Sequence, residues 1–306
     1  MSSIITYESK IIWGKLYRPS QDVLQKIADE IESFHPQVPI QETSGVIKFS
    51  VDKDKTCIWA KVEIDRSAFF LDDNPEVDGW ENILDETIVH RLKDILFVVN
   101  LAYPGCIHVF KSNVYRDGRL LPIKLAYSSD ISSWVYEECE WITFENLTIQ
   151  QCWDWLVSKT NFLSFISRTP IDRALFALSY ESVARDDVYI FYVMLGIEAI
   201  YNDGSNKEDS IMEQLRRKSQ ALLGQLPRKA IKSLNEMYGM RSKLVHGGAN
   251  IYKCWPSEDY EEAEYEQLNV ERRFIVTATG LLLATIQKFI KANANALSET
   301  VLIELK

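Results

Sequence analysis

The chain has 306 residues, of which 46% are hydrophobic and 25% are charged, a balance typical of a soluble globular protein. Its length predicts two domains and not one small core. The net charge of −10 argues against a protein that coats nucleic acid indiscriminately.

The pattern of apolar residues predicts neither a membrane span nor an export signal. The apolar stretch 274–290 is interrupted by polar residues such as Thr277 and Gln287, and it falls short of the roughly 18 residues that cross a bilayer. The first ten residues lack the basic-then-apolar order of a signal peptide. The sequence therefore predicts a cytoplasmic protein without a membrane partner.

The five cysteines are scattered and never form a Cys-x-x-Cys pair. Such a set is typical of reduced, buried thiols and not of disulfides or a zinc site. The sequence shows no His, Cys or carboxylate cluster with metal-ligand spacing and no glycine-rich phosphate loop. It therefore predicts no metal and no cofactor.

Residues 1–145 are predicted to form a mixed α+β domain. Two helices are expected: residues 20–33, which begin at a serine cap, and residues 85–101, whose apolar side chains follow one stripe. The acidic segment 72–80, which carries Pro75 and Gly79, is expected to be a loop. Strand-like runs bounded by turn signals occur at 4–13, 46–51, 57–64, 106–110 and 120–125.

From residue 146 to 306 the apolar period is helical, which predicts an all-α bundle. The expected helices are 147–158, which would bridge the two halves, and then 170–183, 186–201, 207–223, 227–245 and 270–292. Between the last two helices lies an acidic, tyrosine-rich segment, 249–268, which contains Pro256. This segment is predicted to be a long loop.

Charge is unevenly distributed along this second half. Six acidic residues crowd the stretch 256–266, whereas the preceding stretch 216–246 has eight basic residues and a single acid, Glu236. Besides Arg241, the basic residues are Arg216, Arg217, Lys218, Arg228, Lys229, Lys232 and Lys243. Either these seven contact an RNA backbone, or the two stretches are solvated faces of opposite charge that attract each other. Both interpretations stay open.

The residues that most clearly indicate a chemical function lie at the end of the predicted helix 227–245. Residues 241–248 read Arg-Ser-Lys-Leu-Val-His-Gly-Gly, and His246 is the only histidine with an arginine upstream at this kind of spacing. A guanidinium can donate two parallel hydrogen bonds to phosphate oxygens, and an imidazole exchanges protons near neutral pH. Arg241 and His246 would suffice to cut RNA without a metal, because RNA supplies its own nucleophile, the 2′-hydroxyl. The spacing alone arises easily by chance, so its weight depends on context.

Helical geometry predicts how this pair would have to be used. Five residues at about 100° each place Arg241 and His246 roughly 140° apart around an ideal helix, so the two do not share a face. Two chains that meet at this helix end would bring both side chains to one phosphate. The alternatives are purely structural roles: His246 would cap the helix C-terminus, and Arg241 would be an ordinary ion-pair partner.

These residues resemble the HEPN superfamily, and among its branches the Apea-like HEPN proteins. The resemblance covers roughly residues 165–295 and rests on two segments: the run from Tyr238 to Gly247, with its Arg-x4-His-Gly pattern, and Leu-Gly-Ile-Glu-Ala-Ile-Tyr at 195–201. It implies an all-α bundle that forms a homodimer and cleaves RNA without metal, leaving a 2′,3′-cyclic phosphate and a 5′-hydroxyl.

The resemblance also implies roles for individual residues. Arg241 would stabilise the charged phosphorane, and His246 would be general acid or base. Ser242 would position RNA or the other side chains, and Glu198 would orient Arg241 or His246. Where some HEPN toxins carry a tyrosine that a partner enzyme modifies with AMP, this chain has Gly248, which puts that form of control in doubt.

Two classes of function follow. The first is an endoribonuclease, plausibly a defence or toxin-type effector, with residues 1–145 as a sensor or regulatory domain and a regulatory protein as a further partner. The second is a non-catalytic HEPN module that binds RNA, a nucleotide or a partner protein.

Overall fold

The structure is a computed structural model that describes residues 4–12, 21–40, 43–52, 57–65, 80–164, 166–183, 186–202, 210–248 and 262–297. The chain divides into two compact units. One comprises Met1–Tyr136 with Asn146–Asp154, and the other comprises Glu137–Glu145 with Trp155–Lys306. The division is therefore not a single cut after residue 145, because the chain passes between the units three times.

The first unit contains a six-stranded antiparallel sheet with strand order β2-β3-β4-β1-β5-β6. The central strand β1 pairs with β4 on one side and β5 on the other. The strands are β1 (Ile4–Ile12), β2 (Gln37–Ile40), β3 (Thr43–Asp52), β4 (Cys57–Asp65), β5 (Val109–Arg116) and β6 (Arg119–Tyr127).

Side chains alternate between the two faces along β1. In β1, Ile5, Tyr7 and Ile11 are buried, whereas Glu8 and Lys10 are exposed. The buried face is covered by two helices: α1 (Gln21–Ser33) contacts β3, and α2 (Trp80–Ala102) contacts β6 and β2. A period of two with one apolar face is what an antiparallel sheet covered on one side requires.

A polar network lies within this packed layer. The Tyr7 hydroxyl donates to Asp85 Oδ1 at 2.8 Å, and the Arg116 guanidinium donates to Asp85 at 3.1 Å and to Glu81 at 2.7 Å. Burial raises the pKa of the Asp85 carboxyl and, together with Asp85, that of Tyr7. Since buried polar groups need partners, the network ties β1, β5 and α2 together.

Two further helices each contain a boundary between the units, namely α3 (Asp130–Glu138) and α4 (Ile149–Lys159). The other described elements of the second unit are α5 (Pro170–Ser179), followed by a 3₁₀ turn at Tyr180–Ser182, α6 (Asp186–Tyr201), α7 (Ile211–Leu223), α8 (Arg228–Val245) and α9 (Glu262–Ala292). Both α6 and α9 contact α5, α7 and α8 and each other, so they form the centre of this unit.

The predicted order, an α+β half followed by a mostly helical half, is confirmed. Helix α6 has the predicted bounds. The predicted loop 249–268 is wrong for 262–268, which belong to α9, while 249–261 lie outside the described residues. Most of the predicted loop 72–80 is also outside them, and its last residue, Trp80, begins α2.

Four elements were missed or misplaced by sequence reasoning. Strand β2 and helix α3 were not predicted, and β5 runs over Val109–Arg116 and not over 106–110. Helix α7 begins at Ile211, because Ser210 is its N-cap: the Ser210 hydroxyl accepts from the Glu213 amide, and Glu213 in turn accepts from the Ser210 amide. This capping box fixes the start more strongly than the upstream residues do.

Within α9, Asn269–Ala292 is long and apolar enough to cross a bilayer, but 89% of its most apolar window is buried inside the protein. Its polar side chains are satisfied internally: the Thr285 hydroxyl donates to the Leu281 carbonyl, and Gln287 accepts from the Glu145 amide. These are the properties of a helix in the core of the protein.

Candidate functional site

The end of α8 is shaped by its backbone. The His246 amide donates to the Ser242 carbonyl at 3.0 Å, and the Gly248 amide donates to the Lys243 carbonyl at 2.7 Å. Gly247, between them, has a φ of +75°, in the left-handed region that favours glycine. This is a Schellman motif, and it makes His246 the last residue before the chain reverses direction.

His246 is therefore the C-cap residue, but through its backbone amide. Its side chain is exposed. In the described part of the chain it has no hydrogen-bond or ion-pair partner. Among the described residues, the imidazole makes no hydrogen bond to the last carbonyls of the helix, which the structural alternative for His246 required. It is free to meet a ligand at the helix end.

Arg241 points towards α6. Its Nη2 lies 3.4 Å from each carboxylate oxygen of Glu198 and donates a hydrogen bond to Oε2. The Arg241 side chain remains 35% exposed, against 17% for Glu198. The contact is long for a charge-assisted bond, so the guanidinium is tethered but keeps donors that a phosphate can use.

Tyr238, one turn before Arg241 on α8, joins this pair. Its hydroxyl is buried and has no hydrogen-bond partner in the described part of the chain, and the same is true of Glu198 Oε1. Burial raises the pKa of Tyr238, the Glu198 carboxylate raises it further, and Arg241 opposes them. Because native proteins rarely leave such groups unsatisfied, the cluster has unused capacity for a polar ligand. The i, i+3 spacing places Tyr238 beside Arg241 on α8.

Glu198 is held in place by close packing of α6. A Cβ atom at Gly196 would lie 2.7 Å from Leu282 Cδ2 on α9 and 2.9 Å from the Ala177 Cβ on α5. Only glycine lets three helices approach so closely. One turn further along α6, the carbonyl of Tyr201 accepts a hydrogen bond from the Lys218 ammonium at 3.0 Å, which fixes the end of the helix.

A groove of about 590 Å³ runs along α5 and α6 and has Glu198 in its lining. Tyr180 and Tyr192 stack in it, with ring centroids 3.7 Å apart and planes 7° from parallel. Leu195, also in the lining, is 56% exposed. The polar cluster therefore adjoins an aromatic and apolar surface of the same unit.

The predicted RNA-contacting residues differ in their exposure. Arg217, Arg228, Lys229, Lys232 and Lys243 are exposed, and so is Ser242. Arg216 is half-buried and donates to Asn235. Lys218 is only 6% exposed, and its ammonium donates to a backbone carbonyl, so its predicted role as a phosphate contact is corrected to a structural one.

Among the residues that the structure describes, no group of three or more His, Cys, Asp or Glu side chains is placed to hold a metal ion. Comparisons of the chain with protein-family models, curated proteins and solved structures found no match. The chemistry of the site therefore rests on its own residues.

Proposed function

We propose that this chain is an endoribonuclease of the HEPN type, which cleaves RNA by transesterification through Arg241 and His246. The observation that carries the proposal is the arrangement at the end of α8. A guanidinium is tethered by Glu198, and an exposed imidazole with no partner in the described structure stands at the helix terminus. A defence or toxin-type role is part of the same proposal.

The reaction needs no group that RNA and these residues do not supply. The 2′-hydroxyl oxygen attacks the adjacent phosphorus and passes its proton to a base, while the bond from phosphorus to the 5′-oxygen breaks and that oxygen takes up a proton. His246 is suited to proton transfer, because imidazole titrates near neutral pH. Arg241 is suited to stabilise the negative charge of the phosphorane.

The angle between the two side chains supports a shared site. Arg241 lies in the last two turns of α8 and His246 at its C-cap, roughly 140° further around an ideal helix. An isologous contact between two copies of this helix end would bring both pairs to one phosphate. A two-fold homodimer is therefore part of the proposal.

The test is cleavage of RNA by the purified full-length chain in the presence of EDTA, followed by analysis of the fragment ends. The proposal expects fragments with cyclic phosphate ends and loss of cleavage in Arg241→Ala and His246→Ala. Arg119→Ala and His35→Ala are matched controls, because both residues are exposed and lie in the other unit. A fully active His246→Ala protein, or cleavage that requires added magnesium, would refute it.

One observation favours a second function, that of a non-catalytic HEPN module. Glu198 already partners the Arg241 guanidinium, so the ion pair could serve only to hold α8 against α6. In that case the protein would bind RNA or a partner and leave RNA intact in the same assay.

A further inference from the structure

The sheet of the first unit has one face that its own helices do not cover. Exposed side chains project from it on the central strands, among them Glu8 and Lys10 of β1 and Trp59 and Lys61 of β4. Antiparallel sheets that face water on one side normally carry short polar or charged residues there. Trp59, which is 43% exposed, departs from that pattern.

Strand register places Trp59 in a row that crosses the sheet. It pairs with Ser50 of β3 on one side and with Lys10 of β1 on the other. Ser9 of β1 pairs with Val114 of β5. The next residues along this antiparallel register are Lys10 and Asn113, and Asn113 in turn pairs with Lys124 of β6. With strands about 4.8 Å apart, Trp59 and Lys124 are separated by roughly 14 Å, room for a few nucleotides.

The side chains of this row are already oriented towards one another. The Lys10 ammonium lies over the Trp59 ring, 5.4 Å from its centroid. The Lys124 ammonium donates to Asn113 Oδ1 at 2.5 Å. In the described part of the chain neither lysine is paired with a carboxylate, so the row carries two uncompensated positive charges beside an aromatic plane.

The neighbouring row differs in charge. There Lys48, Lys61 and Glu8 lie side by side, and Glu63 pairs with Lys61 at 2.9 Å and with Lys48 at 3.6 Å. Two ammonium groups are thus offset by two carboxylates. The contrast distinguishes the row of Trp59 from the row beside it.

We infer that this row, Trp59-Lys10-Asn113-Lys124, is a binding surface for single-stranded RNA. A base stacks on the exposed Trp59 ring, and the two lysines take successive phosphates, since stacking and backbone charge are the two terms of single-strand binding. Asn113 supplies an amide for a base edge or the 2′-hydroxyl. The surface lies in the first unit, so it does not depend on whether the α8 site cuts RNA.

The test is fluorescence anisotropy with a labelled oligouridylate and the full-length chain carrying Arg241→Ala and His246→Ala, so that any cleavage is suppressed. Trp59→Ala should weaken binding by about 5- to 150-fold, the range for losing one base stack, and Trp59→Phe should retain most of the affinity. Lys10→Ala and Lys124→Ala should each reduce the slope of log affinity against log salt by roughly 0.7.

Lys48→Ala is the matched control, because this lysine is on the same face and its charge is already compensated. An equal loss in Lys48→Ala, or full binding in Trp59→Ala with an unchanged melting temperature, would overturn the inference. Binding of polyglutamate with the same dependence on Trp59 would also overturn it, because the occupant would then be an acidic polypeptide. Cleavage by the parent chain, measured separately, reports on the α8 site alone.

Discussion

Arg241 on α8 and Glu198 on α6 form an ion pair in which one guanidinium nitrogen lies 3.4 Å from both carboxylate oxygens. An arginine held by one nitrogen keeps its other donors for a phosphate. If the pair positions Arg241 for catalysis, Glu198→Gln should lower the rate of RNA cleavage by about tenfold, because a neutral amide holds the guanidinium less firmly.

The matched control for this variant is Glu236→Gln. Glu236 is also a glutamate beside a cation, 3.6 Å from Lys232, but it is exposed on α8. Its change should leave cleavage unaltered. If Glu198→Gln lowers the melting temperature and leaves the rate unchanged, the ion pair is structural and Glu198 has no positioning role.

Tyr238 offers a test in which stability and activity should move in opposite directions. Its buried hydroxyl has no partner in the described structure, so Tyr238→Phe removes an unsatisfied polar group. The free energy of unfolding should stay equal or rise by about 1 kcal/mol. If the hydroxyl completes the Arg241–Glu198 cluster when RNA binds, the cleavage rate should fall roughly tenfold. A variant that is both less stable and fully active would contradict this assignment.

Gly247 tests the role of the turn after His246. At a φ of +75°, alanine is strained by about 1–2 kcal/mol, so Gly247→Ala should fray the Schellman motif and shift the imidazole. We expect a loss of cleavage with only a small loss of global stability, because nothing lies within 4 Å of a Cβ at this position. Gly224→Ala, which strains the glycine that caps α7 at φ +90°, is the control and should leave the cleavage rate unchanged.

The lowered pKa of Asp172 predicts how the stability of the second unit changes with acid. Burial raises the pKa of its carboxyl, but hydrogen bonds from the amides of Asn161, Arg168 and Thr169 outweigh burial and leave the pKa lowered. A folded pKa below the unfolded value of about 3.9 means stability that is present above that pH and lost as the pH falls through the folded pKa. Asp172→Asn should therefore lower the urea midpoint at pH 7 by a margin that shrinks below pH 4, and the exposed Asp22→Asn should not.

The elements predicted well from sequence include those with a long apolar run between clear breaks. Helix α6 is such a run and ends before Asn202, and its bounds were predicted correctly. Strand β2 has four residues, too few for a period to show. The first turns of α9 are acidic, with glutamates at 262, 264 and 266, so they lack the apolar stripe that would mark them as helical.

The site shows a different limit. Arg241, His246 and Glu198 were found because their types and order carry chemistry, and the structure brings Arg241 and Glu198 together. Lys218 was misjudged for the same reason. Whether a polar side chain is buried, and what it meets there, depends on how α7 and α8 pack against α6, which their own sequences do not reveal.

The proposed shared site makes a prediction that a single chain cannot satisfy. Arg241→Ala and His246→Ala should each be inactive, but unfolding and refolding them as an equal mixture should restore part of the activity. About half of the dimers would then combine one intact Arg241 with the intact His246 of the other copy. Each variant refolded alone is the control, and light scattering should report a dimer in every sample. If the mixture stays inactive while mixed dimers form, a site that needs only one Arg241 and one His246 from different chains is wrong.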